Sequence, residues 1–283
     1  MAYRCEEFKA GERITIDQVR AVQVDILKYF ASYCYEHQLR FFLAGGTLIG
    51  AVRHHGYVPW DDDLDIVMPR PDWEKFISMN RIEFGPYEIR SYQYTPEIHP
   101  RPLLRIVDKR YFMQINHIQH YLPLWIDVEP LDGLPSNTAE RKKHFARAKI
   151  LQKLIAGSYS DFFKVRKRWL RALKRLVFLP LRMIGPLFFI KKLEKLGKKY
   201  DYESAEYAGT FTCGYGFSEG VRKRVYATAD FTDFCGETFP IPAGYDEILT
   251  NNYKEYMMLP PARKRRVHMI GAWVNDNYSQ EKA

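Results

Sequence analysis

Residues 42–67, FLAGGTLIGAVRHHGYVPWDDDLDIV, are the stretch from which we predict the fold of this 283-residue chain. An apolar strand ends at a Gly-Gly pair and is followed by a short helix, after which a turn leads to a second strand. That second strand opens with four acids in five positions, Asp61, Asp62, Asp63 and Asp65. Because side chains alternate along a strand, Asp63 and Asp65 should point the same way while Leu64 and Ile66 enter the core.

Asp63 and Asp65 are the leading candidates for metal ligands. Two carboxylates held side by side repel each other, so the arrangement is costly without a cation. Oxygen ligands beside a Gly-rich turn that opens a helix suit Mg²⁺ or Mn²⁺ bound together with a phosphate. The segment therefore predicts a metal site for phosphate-group transfer, with an exposed acidic turn as the alternative. Asp61 and Asp62 are expected at the entrance of the strand, as supporting groups or as acceptors of backbone N–H groups.

Asp127 and Arg105 are charged residues in otherwise apolar stretches. A buried strand seldom carries an unpaired acid, so Asp127 needs a partner. If its strand neighbours that of Asp63 and Asp65, Asp127 completes a three-carboxylate metal site; a structural ion pair with an arginine is the alternative. Arg105 is a candidate to neutralise charge in the transition state, and a salt bridge to Asp127 or another acid explains it equally well.

The Gly-Gly turn and the helix after it supply the candidates for binding phosphate or nucleotide. Backbone N–H groups and a helix N-terminus at this turn would face a phosphate, whereas the alternative is a tight turn with no ligand. The catalytic residues that we predict are Asp63, Asp65, Asp127 and Arg105, the three acids also being the metal ligands. The residues that we predict to bind the substrate or nucleotide are Gly45, Gly46, Thr47, Arg53, His54 and Asp62.

A block of basic residues sets the charge of the chain. Residues 164–199 contain thirteen Lys or Arg and one acid, Glu194, a net charge of +12 in a chain whose total is +9. Residues 165–178 place apolar side chains on one helical face and Lys or Arg largely on another. Residues 176–190 are apolar but too short and too interrupted to span a bilayer. The pattern favours a helix lying on an anionic leaflet, with core packing behind a solvated basic rim as the alternative.

Composition limits the remaining possibilities. The chain is 46% hydrophobic, which is enough for one large domain or for a domain with a subdomain. Its start is mixed in charge and has no apolar run, so no signal peptide is expected. The cysteines have no zinc-binding spacing and indicate a reduced cytosolic compartment; they are Cys5, Cys34, Cys213 and Cys235.

Residues 44–68, AGGTLIGAVRHHGYVPWDDDLDIVM, resemble the signature of the LicD family of phosphocholine-type transferases, within the nucleotidyltransferase superfamily. The superfamily pattern is a Gly-Gly or Gly-Ser turn, two acids one residue apart on a strand, and a third acid on a later strand. Here these would be Gly45-Gly46, Asp63 with Asp65, and Asp127. The resemblance covers about residues 15–135 and, in the tail, 238–268, whereas residues 137–237 match none of the family's motifs.

The resemblance implies an α+β fold with a nucleotidyltransferase-like mixed sheet, flanking helices and a helical, basic insertion. We expect a catalytic core over residues 1–136, a basic helical membrane or acceptor subdomain over 137–209, and a segment over 210–283 that completes the catalytic domain. The tail is expected to mix turns and short helices.

The resemblance also implies an activity. A CDP-activated alcohol such as CDP-choline would donate its phospho-alcohol group to a sugar hydroxyl of a teichoic-acid, lipooligosaccharide (lipopolysaccharide-type) or capsule precursor, releasing CMP. The cofactor would be Mg²⁺ or Mn²⁺. The expected partners are the CDP-alcohol, a lipid-linked glycan and an anionic membrane surface, with no nucleic acid. The expected location is cytoplasmic, peripheral on the inner face of the cell membrane.

Three rival interpretations stay open from the sequence. A metal-dependent glycosyltransferase also uses two acids one residue apart, but there the pair ends a strand, and here it starts one. A true nucleotidyltransferase would use the same site and leave the nucleotide on the product. A non-enzymatic membrane adaptor would use only the basic helix, and the acid motif argues against it.

Overall fold

The computed structural model describes residues 6–116, 120–160, 165, 167–211, 216–265 and 267–280. Its strands, in chain order, are β1 (Ala10–Ile14), β2 (Phe42–Leu43), β3 (Asp65–Pro69), β4 (Glu83–Phe84), β5 (Tyr87–Arg90), β6 (Leu104–Ile115), β7 (Leu122–Leu134), β8 (Tyr207–Gly209), β9 (Val221–Arg222), β10 (Ala229–Phe234), β11 (Glu237–Pro242) and β12 (Met269–Asn275). Its helices are α1 (Ile16–Glu36), α2 (Gly45–His54), α3 (Arg70–Met79), α4 (Thr138–Tyr159), α5 (Arg168–Val177), α6 (Leu179–Ile184), α7 (Pro186–Gly197), α8 (Tyr245–Tyr253) and α9 (Asp276–Gln280).

One mixed sheet forms the centre of the molecule, in the order β1-β12-β6-β7-β3-β2. Strand β3 runs parallel to β7, whereas β2 is antiparallel to β3 and β6 is antiparallel to β7. Strand β5 also pairs with β6, and β8 with β7, while β10 and β11 form a separate antiparallel hairpin. The predicted α+β class, a mixed sheet with flanking helices, is confirmed.

Helix α1 packs an apolar stripe against the sheet. It begins where Thr15 and Gln18 form the expected capping box: the Gln18 backbone N–H donates to the Thr15 hydroxyl, and the Gln18 side-chain oxygen accepts from the Thr15 N–H. Val19, Leu27 and Phe30 are fully buried on the side that faces the core. The capping box therefore fixes the start of α1, and the helical spacing of its apolar residues fixes which side faces the core.

The acid-bearing strand has the predicted alternation. Leu64 and Ile66 are fully buried, and the acids beside them are only partly buried. Regular strand geometry begins at Asp65, so Asp63 lies in the loop that enters β3. The acids therefore come before most of the strand, as the LicD-type reading requires and unlike the glycosyltransferase arrangement.

Helices α4 to α7 form a separate layer with its own core. Helix α4 packs against α7 through a cluster that includes Phe145, Ala148, Phe189 and Leu193. Helix α5 contributes no buried residue. The helical, basic insertion is thus present, although Lys164 and Arg166 of the basic block lie outside the described residues, as do Cys5 and Cys213.

The expectation of turns and short helices after residue 210 is met by α8 and α9 but omits the strands of this segment. Strands β9 to β12 lie there, and β12 sits inside the central sheet between β1 and β6. The partners of β12 are distant in sequence, as Met269 pairs with Ile115, so no local sequence pattern predicts this strand. The division into three segments stays a prediction. Within the described ranges, no helix has the length and apolarity needed to cross a bilayer.

Candidate active site

Four neighbouring strands carry a row of charged side chains at matching register positions. Asp65 at the start of β3 pairs with Asp127 on β7. Asp127 in turn pairs with Arg105 on β6, and Arg105 pairs with Arg90 on β5. Residues paired in this way project from the same face of a sheet. The condition set for Asp127, that its strand neighbours the acid-bearing strand, is therefore met.

Helix α1 holds the loop that carries the first three acids. Arg20 donates to the carbonyl oxygen of Asp61 at 2.7 Å and to two earlier carbonyls of the loop. Gln23, fully buried, donates to the carbonyl oxygens of Asp62 (3.1 Å) and Trp125 (3.2 Å). These bonds fix the backbone of the loop against β7, so the acid side chains project from a rigid support. No short sequence pattern predicts this role for either residue.

The Gly-Gly turn leaves room for the carboxylates. Gly45 has a positive φ of 53°, and a Cβ built on it would lie 3.2 Å from Oδ2 of Asp65. A Cβ on Gly46 would collide with Oδ2 of Asp61. Thr47 accepts the backbone N–H of Asp65 at 2.9 Å through its hydroxyl. Both carboxylates thus lie at the N-terminus of α2, where the helix dipole favours negative charge.

Asp61, Asp63 and His268 form a group that could hold a metal ion. One ligand atom from each lies within 4.8 Å of the others. Asp61 was expected as a supporting group, and His268 was missed as a site residue because it lies some two hundred positions along the chain. Asp65 and Asp127 lie outside this group among the residues that the structure describes. Their role as metal ligands stays a prediction.

Asp62 ties the C-terminal strand to the acid loop. Its Oδ2 accepts the backbone N–H groups of His268 (3.0 Å) and Met269, and its Oδ1 lies 3.3 Å from Nδ1 of His268. The expectation that Asp62 accepts backbone N–H groups is therefore confirmed. The hydrogen bond that the His268 imidazole donates to Asp62 raises the pKa of His268, so Asp62 both positions this imidazole and favours its protonated form.

Burial and mutual repulsion raise the pKa values of the clustered acids. Burial and then the Asp63 charge raise the pKa of Asp61 to about 8. Burial also raises the pKa of Asp63, and it raises that of Asp65 well above the usual range together with the charges of Asp63 and Glu129. Such a cluster is stable only when protons or a cation neutralise part of its charge.

Asp127 is held in an ion pair. Its Oδ1 accepts from Nε of Arg105 at 2.6 Å, and its Oδ2 accepts from Nε1 of Trp125 at 3.1 Å. The Arg105 guanidinium also lies over the Trp125 ring, 4.1 Å from the centroid. Both charged side chains are mostly buried. The structural alternative stated for Arg105, a salt bridge to Asp127, is therefore present, whereas its action on the transition state stays a prediction.

Arg53 and His54 contact the tail of the chain. Arg53 donates to the carbonyl oxygens of Tyr256 and Met258, the latter at 3.3 Å, and its Nε donates to Nε2 of His54 at 2.9 Å. These bonds attach the segment after α8 to the C-terminal end of α2. Binding of the donor by Arg53 and His54 stays a prediction, and the same holds for Gly45, Gly46, Thr47 and Asp62.

Two further acids, Glu129 and Glu219, extend the acidic region and were not predicted from the sequence. Glu129 follows Asp127 by two positions on β7 and is buried, as is Glu219. Burial and the Glu129 charge raise the pKa of Glu219 to about 8. Asn252 donates to Glu219 at 3.2 Å. Alternation puts Glu129 on the same face as Asp127, so the acidic region extends along β7.

We expect the stability of the metal-free protein to depend on pH because the pKa values of these acids are raised. An acid with a raised folded-state pKa binds its proton more tightly in the folded chain, so its contribution to stability falls as pH rises from 3.8 to about 8 for Asp61. Asp63 and Asp65 act in the same direction. The triple variant Asp61→Asn, Asp63→Asn, Asp65→Asn should therefore gain stability over wild type as pH rises from 5 to 9, measured by urea unfolding in EDTA.

Comparing wild type with the triple variant cancels the pH dependence of stability that comes from other groups. His99 and His144 have lowered pKa values because they are buried, so they favour the folded state as pH rises. These histidines are present in both proteins, and their effect cancels in the difference. A difference in unfolding free energy that stays constant across this pH range would contradict the predicted clustering of the acids.

Comparison with known proteins agrees with the geometry. A family model described as LicD/FKTN/FKRP, nucleotidyltransferase domain, matches residues 38–126. The lipopolysaccharide cholinephosphotransferase LicD of Haemophilus influenzae is 30% identical over 276 residues, which cover 92% of this chain and 97% of that protein. An uncharacterized protein of Rickettsia typhi is 34% identical over 62 residues, 22% of this chain and 20% of its own length. The match to the Haemophilus protein also spans the helical segment, where the sequence showed no family motif.

Proposed function

Since this chain belongs to the LicD family, we propose that it transfers a phosphocholine-type group from a CDP-activated alcohol to a sugar hydroxyl of a glycan precursor and releases CMP. The relative that matches over nearly its whole length is a lipopolysaccharide cholinephosphotransferase. The observation that carries the proposal is the group of clustered, partly buried acids at the Gly-Gly start of α2. It combines cation ligands with a helix N-terminus suited to phosphate.

The acid group fits a divalent cation. Asp61 and Asp63 supply oxygen atoms close enough to share one ion, His268 supplies a nitrogen, and Asp65 lies beside them. Oxygen ligands suit Mg²⁺, and an imidazole ligand adds a preference for a transition metal such as Mn²⁺. When bound, the cation would neutralise charge on the diphosphate and on the departing CMP.

The residues around the acids would position the donor. The backbone N–H groups that begin α2 at Gly45 and Gly46 would face the diphosphate, and the Thr47 hydroxyl keeps Asp65 in place beside it. The two oxygens of Asp127 are already engaged by Arg105 and Trp125. These contacts hold the Asp127 carboxylate in place, and they support a positioning role in which Asp127 orients the neighbouring acids or the attacking hydroxyl.

The acceptor we propose is a lipid-linked glycan of the lipopolysaccharide, teichoic-acid or capsule type. Phosphocholine transfer to lipopolysaccharide is the reaction named for the Haemophilus relative. Because such precursors are carried by lipids, the enzyme would work in the cytoplasm at the inner face of the cell membrane.

Release of CMP tests this proposal directly. Purified protein would be incubated with Mg²⁺ or Mn²⁺ and, in separate reactions, CDP-choline, CDP-ethanolamine, CDP-ribitol or CDP-glycerol, with UDP-glucose as the sugar donor for comparison. We expect slow, metal-dependent CMP formation from one CDP-alcohol, and the transferred phospho-alcohol on the acceptor when a glycan is added. CMP attached to the acceptor would indicate a nucleotidyltransferase. Turnover of UDP-glucose alone would indicate a glycosyltransferase.

A further inference from the structure

Helix α5 presents an apolar face that nothing in the described structure covers. Trp169, Leu173, Leu176 and Val177 follow the spacing i, i+4, i+7, i+8 and share one side of the helix. Each is exposed, Trp169 to 65% and Leu176 to 66%. An amphipathic helix of a globular domain ordinarily turns such a face into the core. Here the face points outward instead.

The exposed apolar surface continues into the next two helices. Met183 on α6 is 80% exposed, the highest value among the large apolar side chains of the described residues. Eight large apolar side chains are exposed within residues 169–188; they are Trp169, Leu173, Leu176, Val177, Leu179, Met183, Ile184 and Phe188. Isolated exposed apolar residues are common on proteins, but a concentration of this kind marks an interaction surface.

This surface is mounted on a packed support. The Phe178 ring, between α5 and α6, lies against Gly157 of α4, where an added Cβ would come within 2.7 Å of two ring carbons. Leu181 packs against the core of the helical layer, and Phe189 and Ile190 at the start of α7 are buried in it. The exposed side chains of α5 and α6 therefore project from a fixed base.

Basic residues flank the apolar face of α5. Arg168, Arg171, Lys174 and Arg175 occupy the remaining side of a helix that has no acid. The whole block of residues 164–199 carries +12. An apolar arc with a tryptophan, bordered by long cationic side chains, is the chemistry of a helix that lies in the headgroup region of an anionic bilayer. An acidic glycan would match the charges but leave the apolar side chains in water.

We propose that α5 and α6 form a membrane-docking surface that lies in the plane of an anionic lipid leaflet. The apolar side chains of residues 169–188 would enter the acyl boundary, and the basic side of α5 would meet the headgroups. This proposal goes beyond the transfer reaction and does not depend on it, because binding to vesicles requires neither donor nor acceptor.

Vesicle cosedimentation of the full chain tests the docking surface. We expect binding to vesicles of phosphatidylglycerol and phosphatidylcholine, and little binding to phosphatidylcholine alone. Each cation near a charged leaflet adds about a factor of five to partitioning. The quadruple variant Lys167→Ser, Arg171→Ser, Lys174→Ser, Arg175→Ser should therefore bind up to about 600-fold more weakly. Raising the salt concentration should weaken wild-type binding by screening.

A matched control variant tests whether vesicle binding depends on the cations near α5 or only on the net charge of the chain. This control removes four exposed cations elsewhere on the chain and should bind vesicles nearly as wild type does. Its substitutions are Lys9→Ser, Arg81→Ser, Arg222→Ser and Arg224→Ser. A third variant, Leu173→Ser, Leu176→Ser, Val177→Ser, keeps the charge and should lose the salt-resistant part of the binding. Circular dichroism would check that every variant is folded.

Trp169 offers a readout of insertion. Brominated lipids should quench part of the tryptophan fluorescence of wild type, and Trp169→Phe should abolish that quenching while vesicles are still bound. The proposal is overturned if wild type does not bind anionic vesicles or if both quadruple variants lose binding equally. It is also overturned if brominated lipids do not quench the fluorescence of Trp169. Binding to an acidic polysaccharide in place of vesicles would also overturn it.

Discussion

Replacing Asp63 or Asp65 with Asn should lower the rate of transfer by on the order of 10²-fold or more while the chain stays folded. Each change removes one negative charge from the group of acids beside α2, and loss of a key electrostatic contact in an active site typically has an effect of that size. The turnover number would be measured as CMP release at saturating CDP-alcohol and metal. EDTA added to wild type should have the same effect.

The stability of these variants distinguishes a functional acid from a structural one. Asp65 is partly buried among like charges, and desolvation with those charges raises its pKa well above the usual range. A neutral Asn of the same shape relieves that repulsion, so the melting temperature of the metal-free protein should stay constant or rise. Asp233→Asn, an exposed acid on β10, makes the same chemical change away from the site and should leave turnover unchanged. Full activity of either Asp63→Asn or Asp65→Asn would refute the assignment.

The parts of the site that could be predicted from the sequence lie close together in the chain. The Gly-Gly turn, the acids and the alternation of Leu64 and Ile66 occur within residues 42–67, so a local pattern contains them. The capping box of α1 is likewise a signal spread over four residues. In these segments the local preference of the chain and the tertiary structure agree, which is why the local pattern was sufficient.

The missed parts depend on contacts between distant segments. His268 reaches the acids because β12 enters the sheet beside β6, and no short-range pattern encodes that pairing. Arg20 is half-buried and Gln23 lies within the buried stripe of α1, and the role of both depends on the loop of residues 58–62 that packs against them. An amphipathic pattern predicts which side of a helix is apolar, but it does not predict what packs against that side. For this reason the sequence alone could not decide whether the apolar face of α5 is buried or exposed.

The second large effect is expected at the ion pair between Arg105 and Asp127. Both side chains are mostly buried, at 7% and 13% exposure, so removing one of them leaves the other charge buried without this ion pair. Arg105→Met or Asp127→Asn should therefore cost about 3–5 kcal/mol of unfolding free energy. Urea unfolding in EDTA would measure it. Lys28→Gln breaks an exposed pair with Glu237 and should change the unfolding free energy far less, because solvent screens that pair.

The double variant Arg105→Met, Asp127→Asn separates the structural role of Asp127 from a functional one. With both charges gone, no buried group lacks its counter-charge, so much of the lost stability should return. Turnover should return with it if Asp127 only pairs with Arg105. We expect turnover to stay low, because Asp127 lies in register with Asp65 and its carboxylate continues the acid row across the sheet. A double variant that is both stable and fully active would show that Asp127 acts only in the fold, and the acids of residues 61–65 with His268 would then form the complete metal site.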